Sequence, residues 1–588
     1  MRFVRENFLW LLGLVLLGGF IYLFNLHNPL YWDDTDWIVN NPLIHSFAWS
    51  NIKSWFTENT LAGIGLRSNY YRPFLFVTFA FNYLVGGTSP LGYHLVNNAL
   101  HIANALMIFW LLLKLSGKRV VAFVTALFFL VHPLQTEAVT YIAGRGDPLN
   151  GFFMLLGLVW FVRAEQLPTQ KRWRWLSLGA LVLALLSRET AIIFPFLAAT
   201  IYLAFISRER FWLAIKGAMA KTWPYWLVVF IYGLLRLTVL NFDNTLNFYS
   251  QANVYSEHLY VRMFTFLSVL LTYWRLLLVP IGLHMDRSAP IYTTLFYLRV
   301  WTPLLVICAG LFWCWWLYRQ ASVPERSSKQ LNSWRVVFFS IAWFFINLGP
   351  TSGITPVNAI LYEHWLYLAM VGPFFLLAWW LHRWYKKFPQ AWLATILIGL
   401  TIIFACWFSV AAIRRNILWG NPLEFFKNIL HYEPQSARIN NNVGNIYYDR
   451  GEIDQAEEYY RNSVRFDDSF AQPHYNIGSI LGSRGDSAGA KAEYEKAIKI
   501  NPYFPQAYHG LAMVYANRGD LANAEDILQK LLAQKTGDTP VYYYLAQVQL
   551  ARGNKALATE TLHQGLPLII NNPKLLWAMQ ELLTQTTP

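Results

Sequence analysis

Three carboxylates fall within four consecutive positions of the segment WDDTD: Asp33, Asp34 and Asp36. An apolar run of about 7–24 ends just before them, so they stand where a helix leaves the membrane. Negative charge at that edge needs water, a cation or a reacting partner. Such an acid can act as a general base, taking the proton of an incoming hydroxyl, when nearby cations neutralise a departing phosphate. Cations and further acids recur in four later clusters. HPLQTEAVTYIAGRGD carries His132, Glu137, Arg145 and Asp147; LSRET carries Arg188 and Glu189; HMDRS carries His284, Asp286 and Arg287; LYEHWLY carries Glu363 and His364. A lipid-phosphate sugar donor would supply the leaving group, with its polyprenyl tail between helices and its head at the aqueous face. There is no Walker A loop, HExxH motif or nucleophile elbow, which leaves an ATPase, a zincin or an α/β-hydrolase without support.

Each cluster also has a structural reading. Arg145 with Glu137, and Arg188 with Glu189, serve equally well as ion pairs that hold short helices together. Tyr93, His94, Asn97 and His101 recur at helical spacing and are expected to make interhelical hydrogen bonds. Arg72, in YYRP, reads as an anchor at the interface.

The elements that position these groups must be membrane helices. A chain of 588 residues that is 55% hydrophobic, 17% aromatic and 14% charged is excluded as one soluble domain. From 437 onward, 14 Lys and Arg face 16 Asp and Glu, whereas 33 face 17 upstream, so the whole excess of +14 belongs to the hydrophobic part. That distribution reads as loop charge beside anionic lipid, and no nucleic-acid partner is expected. Cys308, Cys314 and Cys406 lie in apolar runs and propose neither a disulfide nor a metal site.

After 7–24, apolar spans follow near 95–113, 120–133, 149–163, 175–187, 190–206, 223–241, 259–279, 300–318, 335–348, 364–381 and 391–412. Basic clusters at Lys114, Lys118 and Arg119, at Lys171, Arg172 and Arg174, at Arg208, Arg210 and Lys216, at Arg319, Arg326 and Lys329, and at Arg383, Lys386 and Lys387 are expected to be cytoplasmic. This puts the first external loop, 25–92, together with 134–148, 242–258, 349–363 and everything past 412 on the outside, and almost all the polar clusters share that side. Keeping the C-terminus outside requires one span not to cross. The segment 259–279, with Arg262 and Arg275, is the one expected to be re-entrant, leaving about eleven crossings.

Beyond 437 a 34-residue period appears. Gly444, Gly478, Ala512 and Ala546 obey it, as do Gly451, Gly485, Gly519 and Gly553, and Ala456, Ala490, Ala524 and Ala558. This is the spacing of tetratricopeptide repeats, two antiparallel helices each, with small residues where helices pack closely. The expected division is a membrane domain over 1–415, a leading half-repeat or connector over 416–436, and four repeats plus a capping helix over 437–588. Such arrays present a groove to extended peptide or protein.

YWDDTDWIVNNP, YYRPFLFVTFAFNYLVGGTSPLGYHLVNNALH, LFFLVHPLQTEAVTYIAGRGD, LLSRET and ILYEHWLYL, in that order and ahead of such repeats, resemble the transmembrane and tetratricopeptide-repeat O-mannosyltransferases and their bacterial relatives, of the glycosyltransferase-C superfamily. The likeness covers the first 200 residues well and 207–348 loosely. It implies an all-α fold, a polytopic glycosyltransferase-C domain followed by an α-solenoid, a dolichyl- or polyprenyl-phosphate sugar donor, and a Ser or Thr acceptor. It further implies a catalytic acid in the first external loop: Asp33 as base, with Asp34 orienting the acceptor or helping to hold a divalent metal. No cofactor is otherwise implied. Asp36 is an addition to the family pattern, expected to cap an interfacial helix, and with Arg72 it belongs to the acceptor loop. Arg188 stands where the family commonly has lysine, keeping the charge in a form that grips phosphate bidentately. Arg145, Glu137, Glu189, His284, Asp286, Arg287, Glu363 and His364 are then candidates for the donor-phosphate pocket. The absence of eukaryotic targeting signals points to a bacterial cytoplasmic membrane with undecaprenyl phosphate as carrier. The competing readings are a non-catalytic scaffold for envelope assembly, and a transferase acting on a glycan or lipid.

Overall fold

A computed structural model describes residues 2–64, 68–242, 253–321, 332–357, 359–388, 391–534, 538–569 and 573–586. Among these every regular element is a helix. Arg326 and Lys329 of one basic cluster, and 243–252 of an expected outer segment, lie outside the described residues. The chain divides into two compact units, the first closing at Pro422 and the second opening at Leu423.

In the first unit the apolar runs form helices close to their expected positions. The first eight are α1 (Arg2–Tyr22), α2 (Trp49–Thr57), α3 (Pro73–Gly86), α4 (Pro90–Ser116), α5 (Arg119–Val131), α6 (Gln135–Val139), α7 (Gly146–Gln166) and α8 (Arg172–Ser187). Seven stretches among the described residues are long and apolar enough to cross a membrane: Arg5–Asn25, Pro90–Ser116, Glu189–Ile206, Phe211–Leu237, Leu259–Leu278, Leu298–Gln320 and Trp392–Trp419. Most of the others fall short by length, whereas α7, at 21 residues, is interrupted by polar and charged side chains at both ends. α5 has 13 residues, about 20 Å against a core of about 30 Å, because His132 precedes Pro133 and adopts extended backbone there.

Two expectations change. The first external loop, 25–92, contains α2 and the apolar α3. The stretch expected to be re-entrant is one continuous 20-residue helix, Leu259–Leu278. Its Arg262 is not exposed to lipid: the guanidinium donates to the carbonyls of Gly353 (2.6 Å), Tyr255 (3.1 Å) and Ser256 (2.8 Å), so a charge that looked foreign to a span is satisfied by backbone at its end.

Polar side chains join the first and last helices of this unit. Asn416, on the helix Ala391–Trp419, donates to Ile21 O (2.9 Å) and accepts from Thr140 (2.5 Å), while Asn28 donates to Asn416 O (2.8 Å). Asn25 and Asn98 exchange amide bonds at 3.1 and 2.9 Å. The expected interhelical role of the α4 polar face holds for Asn97, which donates to Val139 O on α6 at 3.1 Å, and for His101, which meets Leu130 O on α5 at 3.1 Å and the Tyr367 hydroxyl at 3.0 Å; His94 instead meets Asn28 O in the loop at 3.1 Å, and the Tyr93 hydroxyl donates locally to Gly87 O at 2.9 Å.

The second unit opens with the helix Pro422–Tyr432, followed by helix pairs Ala437–Asp449 and Ile453–Phe466, Ala471–Ser483 and Ser487–Ile500, Pro505–Asn517 and Leu521–Ala533, and Pro540–Ala551 and Lys555–Gly565. A final helix, Pro573–Thr586, covers the end. The periodic glycines explain themselves. Gly451, Gly485, Gly519 and Gly553 all have φ between 77° and 84°, the left-handed turn that ends each first helix. A Cβ on Gly444 would stand 2.6 Å from the Tyr460 ring.

Candidate active site

The acid loop begins where α1 gives way to a 3-10 turn, Leu23–Asn25, anchored by the Asn25 amide. Trp32 has a φ of 61°, a strained left-handed conformation for a bulky residue. Beyond this reversal the two leading acids part: Asp33 is exposed, whereas Asp34 is only 2% exposed and its Oδ1 accepts the Ala143 N–H at 2.7 Å. Burial pushes the Asp34 carboxyl well above the usual range, the Ala143 bond offsets part of this, and the neighbouring Asp33 charge adds to it. The two leading carboxyls thus stand in contrasting surroundings, an exposed outer acid and a buried inner one that favours its proton. Asp36 is exposed, lies in the first turn of the helical segment Thr35–Val39 and accepts from Asn40 at 3.3 Å; Asp34 holds the cap position that had been expected of Asp36.

A second cluster gathers around the start of α7, with partners unlike those expected. Arg188 pairs with Asp147, and Glu189 pairs with Arg72 at 3.1 Å while accepting the Tyr71 N–H at 3.0 Å. The pair Arg188–Glu189 does not form, because Arg188 is extended (φ −160°, ψ 138°) and successive side chains on extended backbone point apart. Arg72 therefore leaves the acceptor loop and joins the cations. A Cβ on Gly146, the first residue of α7, would be 3.8 Å from Arg188 Nη1 and 3.9 Å from Arg72 Nη1. Two guanidinium groups thus flank a helix N-terminus, an arrangement suited to an anion.

Arg145 does not pair with Glu137. Fully buried, it donates to Asn97 Oδ1 (2.7 Å), Asn82 Oδ1 (2.7 Å), Thr78 Oγ1 (3.2 Å) and Tyr93 O (3.0 Å), and stacks on Phe79. All these acceptors are neutral. They hold the 143–145 turn that presents the Ala143 N–H to Asp34.

The third cluster surrounds the short turn Glu363–Leu366. Glu137, on α6, lies 2.6 Å from His364 Nδ1 and accepts the Glu363 N–H at 3.1 Å. Glu363 in turn accepts from Arg287 (2.7 Å), Arg415 (3.3 Å) and the backbone N–H of His284 (2.8 Å). Burial pushes the Glu137 carboxyl up to about 7 and the His364 imidazole down to about 4, so the proton between them belongs to a neutral pair near neutrality. Asp286 is half-buried with a φ of 61°. The three clusters share one field: Tyr70 feels Arg72, Glu189, Arg188 and Asp33; His364 feels Asp147, Arg188 and Arg72; Tyr31 feels Asp34 and Arg415.

Sequence reasoning missed Arg415, Asn416, Asn82 and the role of Asn97 in holding Arg145. The signal for the first two was the break RRN at the end of an otherwise uncharged span. For a divalent metal the donor set fits poorly: Asp34 is already engaged with backbone, and among the described residues no three His, Cys, Asp or Glu side chains gather as a ligand group.

Tetratricopeptide-repeat models match residues 444–485 and 483–542. A protein O-mannosyl-transferase of Caenorhabditis elegans is 27% identical over 466 residues, 76% of this chain and 61% of that one. A second, from Drosophila melanogaster, is 24% identical over 501 residues, 72% of this chain and 50% of that one. The chain matches the transmembrane and tetratricopeptide-repeat O-mannosyltransferase family. A Xenopus laevis member is 36% identical over 151 residues, 25% of this chain and 18% of that one. The chain thus spans 61% and 50% of the length of the first two relatives. Among solved structures, the crystal structure of MamA is 23% identical at a TM-score of 0.23, over 25% of this chain and 85% of that one.

Proposed function

We propose that the protein transfers a hexose, mannose by analogy with its relatives' names, from a polyprenyl phosphate to a Ser or Thr hydroxyl of a protein on the outer face of a bacterial cytoplasmic membrane. The observation that carries this reading is the division of the leading acids, Asp33 exposed and Asp34 buried, within one electrostatic field with the arginines at Gly146. In the transfer the acceptor Oγ attacks the anomeric carbon, the carbon–oxygen bond to phosphate breaks, and the lipid phosphate departs with that electron pair. The acceptor proton passes to Asp33. Arg72 and Arg188, whose five-donor forks are only partly used by Glu189 and Asp147, neutralise the phosphate as its charge grows. The repeats recruit the acceptor protein.

The test supplies purified protein with polyprenyl-phosphate mannose and a panel of extracytoplasmic proteins. Asp33→Asn is expected to lower the turnover by about 10²–10⁴. Undiminished transfer by that variant would remove Asp33 as base, and absence of transfer by the wild type to protein, glycan and lipid alike would overturn the enzyme reading.

A further inference from the structure

At the other end of the helices that hold the acid loop there is a second site of opposite charge. α4 stops where Gly117 takes a φ of 66° and closes its N–H on Leu113 O at 2.8 Å. Lys118 N then donates to Ser116 Oγ (3.2 Å), and α5 starts at Arg119. This turn, the start of α1 and the end of the helix Val371–Lys387 enclose a cavity of about 550 Å³. Four cations line it, Lys114, Lys118, Arg119 and Lys386, against a single acid, Glu6. The ammonium of Lys114 lies 6.0 and 5.8 Å from the rings of Phe3 and Trp110, a cation set among aromatics as at a membrane interface.

Two further groups show what the cavity lacks. Asn7 is 2% exposed and breaks the regularity of α1 (φ −123°, ψ 15°); its amide nitrogen donates to Phe3 O at 2.8 Å, but its Oδ1 is buried with no hydrogen-bond donor. Nε2 of His382 is likewise buried with no partner. Both residues line the cavity. A buried polar atom without a partner costs about 1–3 kcal/mol, which a ligand hydroxyl donating to Asn7, or a phosphate oxygen accepting from His382, would recover. Along α4, Lys114 stands 17 residues beyond Asn97, the residue that holds Arg145, which is about 25 Å of helix. That distance is close to the thickness of a bilayer core, so this cavity and the acid loop lie at opposite faces.

We propose that the cavity binds the headgroup of an anionic phospholipid that carries a free hydroxyl, a phosphoglycerol, on the face opposite the acid loop. The phosphate meets the lysines and His382, and the hydroxyl donates to Asn7. This rests on the membrane reading of the chain and is independent of the transferase activity. The test uses the full chain, purified and stripped of lipid, with bound lipid counted by native mass spectrometry. Its arms are phosphatidylglycerol, phosphatidylcholine and soluble glycerol phosphate. Phosphatidylglycerol is expected to be retained over phosphatidylcholine, and Lys118→Gln with Lys386→Gln to weaken that retention roughly tenfold or more, as the loss of two headgroup-facing charges requires. Val120→Trp, at a 47% exposed position of the wall, narrows the cavity without touching charge and should weaken it too. Lys171→Gln with Arg172→Gln removes equal charge elsewhere and should leave retention unchanged. Equal loss in that control, wild-type retention by Val120→Trp, equal retention of phosphatidylcholine, or full displacement of the lipid by glycerol phosphate would each overturn the proposal.

Discussion

At the scale of single residues, the distinction between Asp33 and Asp34 rests on how deeply each is buried. If Asp34 already favours its proton, an amide is a close stand-in for it: Asp34→Asn keeps an acceptor for the Ala143 N–H and is expected to cost less than about tenfold in turnover. Asp34→Leu, which orphans that N–H, should lower stability by about 1–3 kcal/mol and reduce transfer with it. A turnover assay with a thermal unfolding curve for each variant separates the two effects. Arg145 makes the opposite prediction to a phosphate ligand. Arg145→Lys loses the planar fork that reaches Asn82, Asn97 and Tyr93 O at once, so the unfolding temperature should drop while the KM for the lipid donor stays the same. A raised KM at unchanged stability would return Arg145 to the donor site.

Elements decide which charged groups meet, and here sequence reading reached its limit. The acids, the arginines and their shared neighbourhood were legible, because ionisable groups at the ends of apolar runs are few. Pairing was not, since it depends on backbone direction: Arg188 and Glu189 are neighbours in the chain and separate on extended backbone, while Glu363 finds Arg415, just past the apolar span expected over 391–412. Glu363 neutralises two nearly buried arginines, so Glu363→Gln should destabilise the first unit by about 3–5 kcal/mol, measurable as a lowered unfolding temperature in detergent. The Glu137–His364 contact has a pH signature of its own. A carboxyl raised to about 7 makes the native state bind extra protons, so its contribution to stability falls as pH rises from about 4.5 to 7. An imidazole lowered to about 4 does the reverse, its contribution rising from about pH 4 to 6.5. In the wild type these slopes largely cancel. Glu137→Gln should expose a stability that rises with pH in that window and His364→Asn one that falls, and two flat profiles would show that neither group is shifted.

For the whole molecule, the repeats were the most legible part, because a fixed period places every turn glycine and every close-packed small residue in advance. The membrane unit offered no such period. Its helices were found by hydropathy, but the helices α2 and α3 inside the first external loop were not, since neither is long enough to announce a span. Two units that close at Pro422 and open at Leu423 imply separable tasks. A chain ending at Pro422 should still transfer sugar to a short Ser- or Thr-containing peptide at high concentration, while losing most transfer to a folded acceptor protein. Equal loss on both acceptors would mean that the repeats support the chemistry itself.

The contacts that tie Asn28 and Ile21 to Asn416 bridge separations of 388 and 395 residues. During synthesis at roughly 5–20 residues per second, the segment that bears the acids waits about 20–80 s for the helix that secures it. A ribosome that stops short of residue 416 therefore leaves a product whose acid loop is held by the Asn25 amide and the Ala143 N–H alone, without the contacts from the last helix of the first unit.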